Sequence, residues 1–155
     1  MSMTIERAFV PTAEVAQLVA ELEAALDANY TADQRHGLAL EQLFEPHIRF
    51  FIARLDGEAV GCGGVALFDD YAEVKRMYSH EAARGRGIGK ALLAHIEAQA
   101  RAVRVPLLRL ETGPYQTAAI RLYESCGFRP CEKFGHYAGL PPHRIAMSLF
   151  YEKRL

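Results

Sequence analysis

Apolar positions along the chain follow two periods, and the switches between them predict the elements. Thr4–Val10 reads as a first strand. Thr12 then stands where a helix N-cap is needed, and Val15, Leu18, Val19, Leu22 and Leu26 recur at helical spacing. A short helix is predicted over Leu38–Phe44, ending before Pro46. Next comes a meander: a strand over Phe50–Leu55, the turn Asp56-Gly57, a strand over Ala59–Phe68, the turn Asp69-Asp70, and a strand over Tyr71–Tyr78.

Beyond Tyr78 the rhythm changes. Glycine-rich residues 85–89 lead into a helix with Leu92, Leu93, Ile96, Ala100 and Val103 on one side. Leu107–Glu111 is predicted as a strand after Pro106, and Gln116–Cys126 as a helix stopped by Gly127. Phe128–Phe134, a loop rich in Gly and Pro, and a last strand over Ile145–Tyr151 complete the chain. Antiparallel hairpins followed by alternating strands and helices predict an α/β fold around a mixed sheet. No repeat or Pro/Ser-rich linker divides the chain, so residues 1–155 are expected to form a single domain.

Composition narrows the function. The formal net charge of -1 argues against a nucleic-acid binder. Its distribution is uneven: residues 1–74 carry four basic and thirteen acidic side chains, residues 75–104 seven basic and two acidic. Arg101 and Arg104 suit a solvated helix face, whereas Arg84, Arg86 and Lys90 suit a local anion site. Cys62, Cys126 and Cys131 make no even disulfide framework, which fits reduced thiols and a cytoplasmic location. No run approaches the ~18 apolar residues of a membrane span. The six histidines are scattered, with no metal-binding spacing, so no metal is expected.

The candidate chemistry lies in Arg84-Gly85-Arg86-Gly87-Ile88-Gly89-Lys90, between a strand and an amphipathic helix. Glycines let backbone N–H groups converge on a ligand, and the helix start adds unpaired donors and its dipole. Together they suit a phosphate or pyrophosphate. A nucleotide P-loop would need Gly at position 84 and Ser or Thr at position 91, where Arg84 and Ala91 stand. A dinucleotide fingerprint fails at Lys90 and at Leu92. A turn serving only tight strand–helix packing is the structural alternative.

The pattern Arg84-x-x-Gly87-x-Gly89 resembles the pyrophosphate loop of the GNAT N-acetyltransferase superfamily. Downstream, Ala119-Ile120-Arg121-Leu122-Tyr123-Glu124-Ser125-Cys126-Gly127-Phe128 resembles that family's second signature helix, A-x-x-L-Y-x-x-x-G-F. The resemblance runs from about Phe50 to the C-terminus. It implies the GNAT fold: a mixed, mostly antiparallel sheet with splayed central strands and about four helices. It implies acetyl-CoA as co-substrate, with Met77 and Tyr78 pairing with the pantetheine arm as an added strand would. The loop residues Arg84, Gly85, Arg86, Gly87, Ile88, Gly89 and Lys90 would hold the diphosphate. Gln116 stands where many members have Asn. Tyr123 matches the tyrosine that faces the coenzyme sulfur and protonates the leaving thiolate, a role a phenol suits. A backbone N–H near Met77 would take the thioester oxygen.

An acceptor alkylammonium, with a pKa near ~10.4, must lose a proton first. Tyr71-Ala72-Glu73-Val74 resembles the F-A-E-I segment of histone-acetylating relatives, which implies Glu73 as base. A strand-end Glu73 paired with Lys75, or a water chain doing the deprotonation, stays open beside that reading.

In the family the acceptor is framed by the first two helices and the region before the last strand. Here these offer Tyr30, Arg35, His36 and His47, and Phe134, His136 and Tyr137. Lys75 and Arg76, unusual in a central strand, would either be paired or hold a substrate carboxylate. The acceptor is therefore read as a small-molecule amine, with an amino acid or its analogue as one form. A protein or peptide acetyltransferase and a non-catalytic acyl-CoA-binding module are the alternatives. GNAT proteins often form two-fold dimers, so a homodimer is compatible with the resemblance.

Overall fold

The computed structural model describes residues 2–155. Seven strands form one sheet: β1 (Met3–Ala8), β2 (Ile48–Leu55), β3 (Glu58–Leu67), β4 (Ala72–Ser79), β5 (Leu107–Thr112), β6 (Arg129–Pro130) and β7 (Leu149–Arg154). Their order is β1-β2-β3-β4-β5-β7-β6. All neighbours are antiparallel except β4 and β5. The helices are α1 (Ala13–Asp27), α2 (Ile88–Ala102), α3 (Thr117–Ser125) and the short α4 (Pro142–Ile145). The mixed, mostly antiparallel sheet with four helices matches the expected class.

The sheet's two faces are covered by different helices. Val15, Leu18 and Val19 of α1 pack with Phe50, Ile52 and Cys62 on one face. Leu92, Leu93, Ile96 and Ala100 of α2 pack with Phe51, Ala53, Val65 and Val74 on the other. Alternate residues of β2 thus serve opposite cores, as strand geometry requires. α1 begins as expected, with the Thr12 hydroxyl accepting from the Val15 amide.

Several boundaries differ from the sequence reading. β1 ends at Ala8, not Val10; the chain turns there, and Phe9 and Val10 are exposed. The element expected over Leu38–Phe44 is a 3-10 turn over Leu40–Phe44. Val103 caps α2 and is exposed rather than buried. Ile145 does not start the last strand. Pro142 stands at the first position of α4, where its missing N–H costs nothing, and β7 begins only at Leu149.

Two features of β4 create the site. β4 pairs with β5 only at Ala72–Leu108 and Glu73–Arg109, so the two strands part from Val74 onward. The register against β3 also shifts, from Gly64–Lys75 to Cys62–Tyr78. Arg76 and Met77 therefore face the single residue Gly63 in a β-bulge, with Arg76 left-handed at φ 55°. Such a backbone costs about 1–3 kcal/mol and persists only where surroundings enforce it.

Candidate active site

The gap between β4 and β5 opens into a cleft of about 480 Å³. Met77, Tyr78, Arg84, Gly85, Gly87, Ile88, Gly89, Lys90, Gln116 and Tyr123 all line it. Ten of the eleven residues that the sequence assigned to coenzyme binding are thus brought together; Arg86 stands exposed on the same turn. Gly85 and Gly87 have φ of 82° and 78°, and nothing lies within 4 Å of where a Cβ would stand. Backbone conformation, rather than crowding, explains these glycines. Gly87 caps α2 without a side-chain hydrogen bond, so the helix's first N–H groups remain donors facing the cleft. With Arg84 and Lys90 beside them, these donors fit an anionic diphosphate. The unpaired edge of β4 beyond Glu73 fits an extended amide-bearing arm.

A second, smaller pocket of about 110 Å³ adjoins the cleft. Leu22, Met77, Gln116, Ala119 and Tyr123 line both, so they mark the junction. Tyr123 is buried, its ring edge-on to Phe128 with centroids 5.8 Å apart. Burial, helped by the charge of Glu111, raises its phenol above the ordinary tyrosine range, so it stays protonated at neutral pH.

The small pocket takes Lys75, Arg76 and His36 from the sequence assignment, along with Tyr30 and Arg35. His47 is not there. It lies beside the Phe68 ring, with Nδ1 3.9 Å from Glu45. Lys75 is fully engaged: Nζ donates to Glu73 Oε2, to Tyr137 Oη and to the His36 carbonyl, each at 3.2 Å. His36 donates from Nε2 to the Arg144 carbonyl at 2.7 Å, and burial lowers its pKa, keeping the ring neutral. The Tyr30 hydroxyl accepts from the Tyr115 amide at 2.8 Å and so holds the loop before α3.

Glu73 does not line either cavity. Its carboxylate is buried, and Oε2 accepts from Tyr137 Oη at 2.5 Å and from Lys75. Of the readings left open by the sequence, this is the arrangement in which Glu73 pairs with Lys75. Replacing Tyr137 with Phe should cost about 1.5–3 kcal/mol, because a buried carboxylate loses a charge-assisted bond. Urea unfolding would read that loss. The turnover number should hold, since the hydroxyl reaches the pocket only through Lys75.

The carboxylate that does line the small pocket is Glu111, at the end of β5. Burial pushes its carboxyl up to about 7, against the lowering effects of a hydrogen bond from Ser148 Oγ (2.7 Å) and the charge of Lys75. Sequence reading placed Glu111 only as a strand terminus. The available signal was a lone acid closing an apolar strand, twelve residues before Tyr123.

Comparison with known proteins shows the family. The family profile described as the Acetyltransferase (GNAT) family matches residues 15–128. An IAA acetyltransferase of Azospirillum brasilense is 43% identical over 99% of both chains. The N-acetylaspartate synthetase of Rattus norvegicus is 34% identical over 68% of this chain and 36% of its own. The crystal structure of a proposed acyl-CoA N-acyltransferase from Klebsiella pneumoniae superimposes with a TM-score of 0.83 at 36% identity, covering 99% of this chain and 97% of that one.

Proposed function

The chain belongs to the GNAT acetyltransferase family, and from that membership we propose that it moves an acetyl group from acetyl-CoA to the primary amine of a small molecule. The observation that carries this reading is the position of Tyr123, shared by the cleft and the small pocket. The coenzyme, when bound, supplies an acyl group activated as a thioester. The loop residues Arg84–Lys90 and the start of α2 hold its diphosphate, and the free edge of β4 at Met77 and Tyr78 orients the arm. Gln116, at the start of α3, lines both cavities and positions the coenzyme's end.

Glu111 accepts the proton of the entering ammonium. A carboxyl titrating near 7 is both deprotonated and basic enough at neutral pH. Tyr123 returns a proton to the departing sulfur, for which its raised pKa keeps it loaded. Holding both reactants across one junction supplies much of the rate. The pocket's small size favours a small amine over a peptide side chain carried on its backbone.

The test is release of coenzyme thiol from acetyl-CoA across a panel of small primary amines and a lysine-bearing peptide. Turnover on at least one small amine, and none on the peptide, is the expected outcome. Tight acetyl-CoA binding without turnover on any amine would instead identify a non-catalytic binding module.

A further inference from the structure

Three cations line the acceptor pocket, and their partners separate them. Lys75 has a bond for each of its three protons, with Glu73, Tyr137 and the His36 carbonyl. Arg35 and Arg76 differ: they share one carboxylate. Glu23 Oε2 lies 3.1 Å from Arg35 Nη1, and Glu23 Oε1 pairs with Arg76 Nη2. The other acid near Arg35 is Asp27, 3.6 Å away and largely exposed, where water weakens the pair. Two guanidiniums therefore meet one well-placed carboxylate, leaving positive charge at the pocket wall.

Arg76 is the unusual member. It is 92% buried, counting the 8% exposure of the residue, yet its Nε has no hydrogen-bond partner among the described residues. A buried donor left unmade costs free energy, so native proteins rarely retain one without use. Its backbone sits in the left-handed region, at the bulge that turns the side chain out of the strand pattern. Gly37 faces the guanidinium, and any Cβ there would collide with it. Backbone strain and a missing side chain thus both accommodate one arginine head at this pocket.

We propose that Arg76 and Arg35 form a carboxylate-binding site in the acceptor pocket, so that the acceptor is a small amine that also carries a carboxylate. Both arginines line the pocket, and the planar guanidinium suits this ligand because its fixed fork of N–H donors matches a carboxylate better than a point charge does. Glu111 and Tyr123 line the same pocket, so the amine and the carboxylate are bound by different groups. The inference rests on the acetyl-transfer reading above, and it is tested separately from it.

The experiment compares matched acceptors on the wild-type protein: aspartate, glutamate and alanine, each against its carboxamide or decarboxylated amine. For the preferred acceptor, kcat/KM should favour the acid by about tenfold to hundredfold. Arg35→Gln, at the partly exposed rim, and Arg76→Lys should raise KM for the acid at least about tenfold more than KM for the matched uncharged amine. Equal or reversed preference would overturn the carboxylate site and leave acetyl transfer standing. If no amine is turned over, the acetyl-transfer reading falls. Calorimetry with N-acetylamino acids and their amides, in the presence of coenzyme A, then decides the site. Binding of the acids alone, weakened in Arg35→Gln, would sustain it; equal binding or none would end it.

Discussion

Tyr123→Phe is expected to lower kcat by about 10²–10⁴-fold while the protein keeps its fold and its affinity for acetyl-CoA. The change removes one oxygen and keeps the ring, so the edge-on contact with Phe128 and the packing of α3 survive. Stability should shift by less than about 1 kcal/mol. The loss falls on kcat because the phenol is asked to give up a proton only as the sulfur departs, not when substrates bind. Two measurements check this. Calorimetric affinity for acetyl-CoA should be unchanged, and single-turnover acetylation should slow by the same factor as kcat. Retention of more than about a third of wild-type kcat would remove Tyr123 from the chemistry. Burial also predicts that the acid limb of catalysis stays loaded at alkaline pH, because the phenol's pKa is raised.

The cleft proposed for the coenzyme was legible as a cluster of residues because it is local. The turn Arg84–Lys90, its glycines and the helix it opens occupy contiguous residues, and their backbone geometry suits an anion. The inward position of Tyr123 was legible for the same reason, through its place in one helix.

The small pocket proposed for the acceptor is assembled from α1, the segment after it, β4 and β5, and no periodicity reports such meetings. Glu73 and Glu111 illustrate the difference. Both end up near Lys75, but one is locked under it by Tyr137 and the other faces the pocket. Strand alternation placed Glu73 beside Lys75 and could not say which carboxylate was left free. Likewise, Arg76 owes its position to a bulge opposite Gly63, which breaks the alternation any strand reading assumes. His47 follows the first helical region in sequence but ends on Phe68, away from the pocket. Local errors had local causes: two prolines made a helical turn where apolar residues suggested a strand, and the C-cap exposed Val103.

Glu111→Gln is expected to lower kcat/KM at pH 8 by about 10²-fold or more, and to erase an inflection from the pH profile. In the wild type the carboxyl titrates near 7, so kcat/KM should rise as pH passes through about 7 and the base loses its proton. The amide cannot titrate. Its residual rate should follow only the ionisation of the free amine, well above neutrality. Stability gives an independent reading with a definite sign. Burial raises the folded pKa from 4.5 to about 7, so between these values the folded protein holds a proton that the unfolded chain has lost. Stability therefore falls as pH rises through that window, by up to a few kcal/mol, of order 1.4 per unit of pKa difference. Glu111→Gln keeps an oxygen to accept from Ser148 and has no charge to bury. It should match the wild type near pH 4.5 and exceed it above pH 7, when both are unfolded in urea. A variant that is more stable and less active at pH 8 is what a buried base requires. A variant with full activity and an unchanged pH profile would move the deprotonation to water.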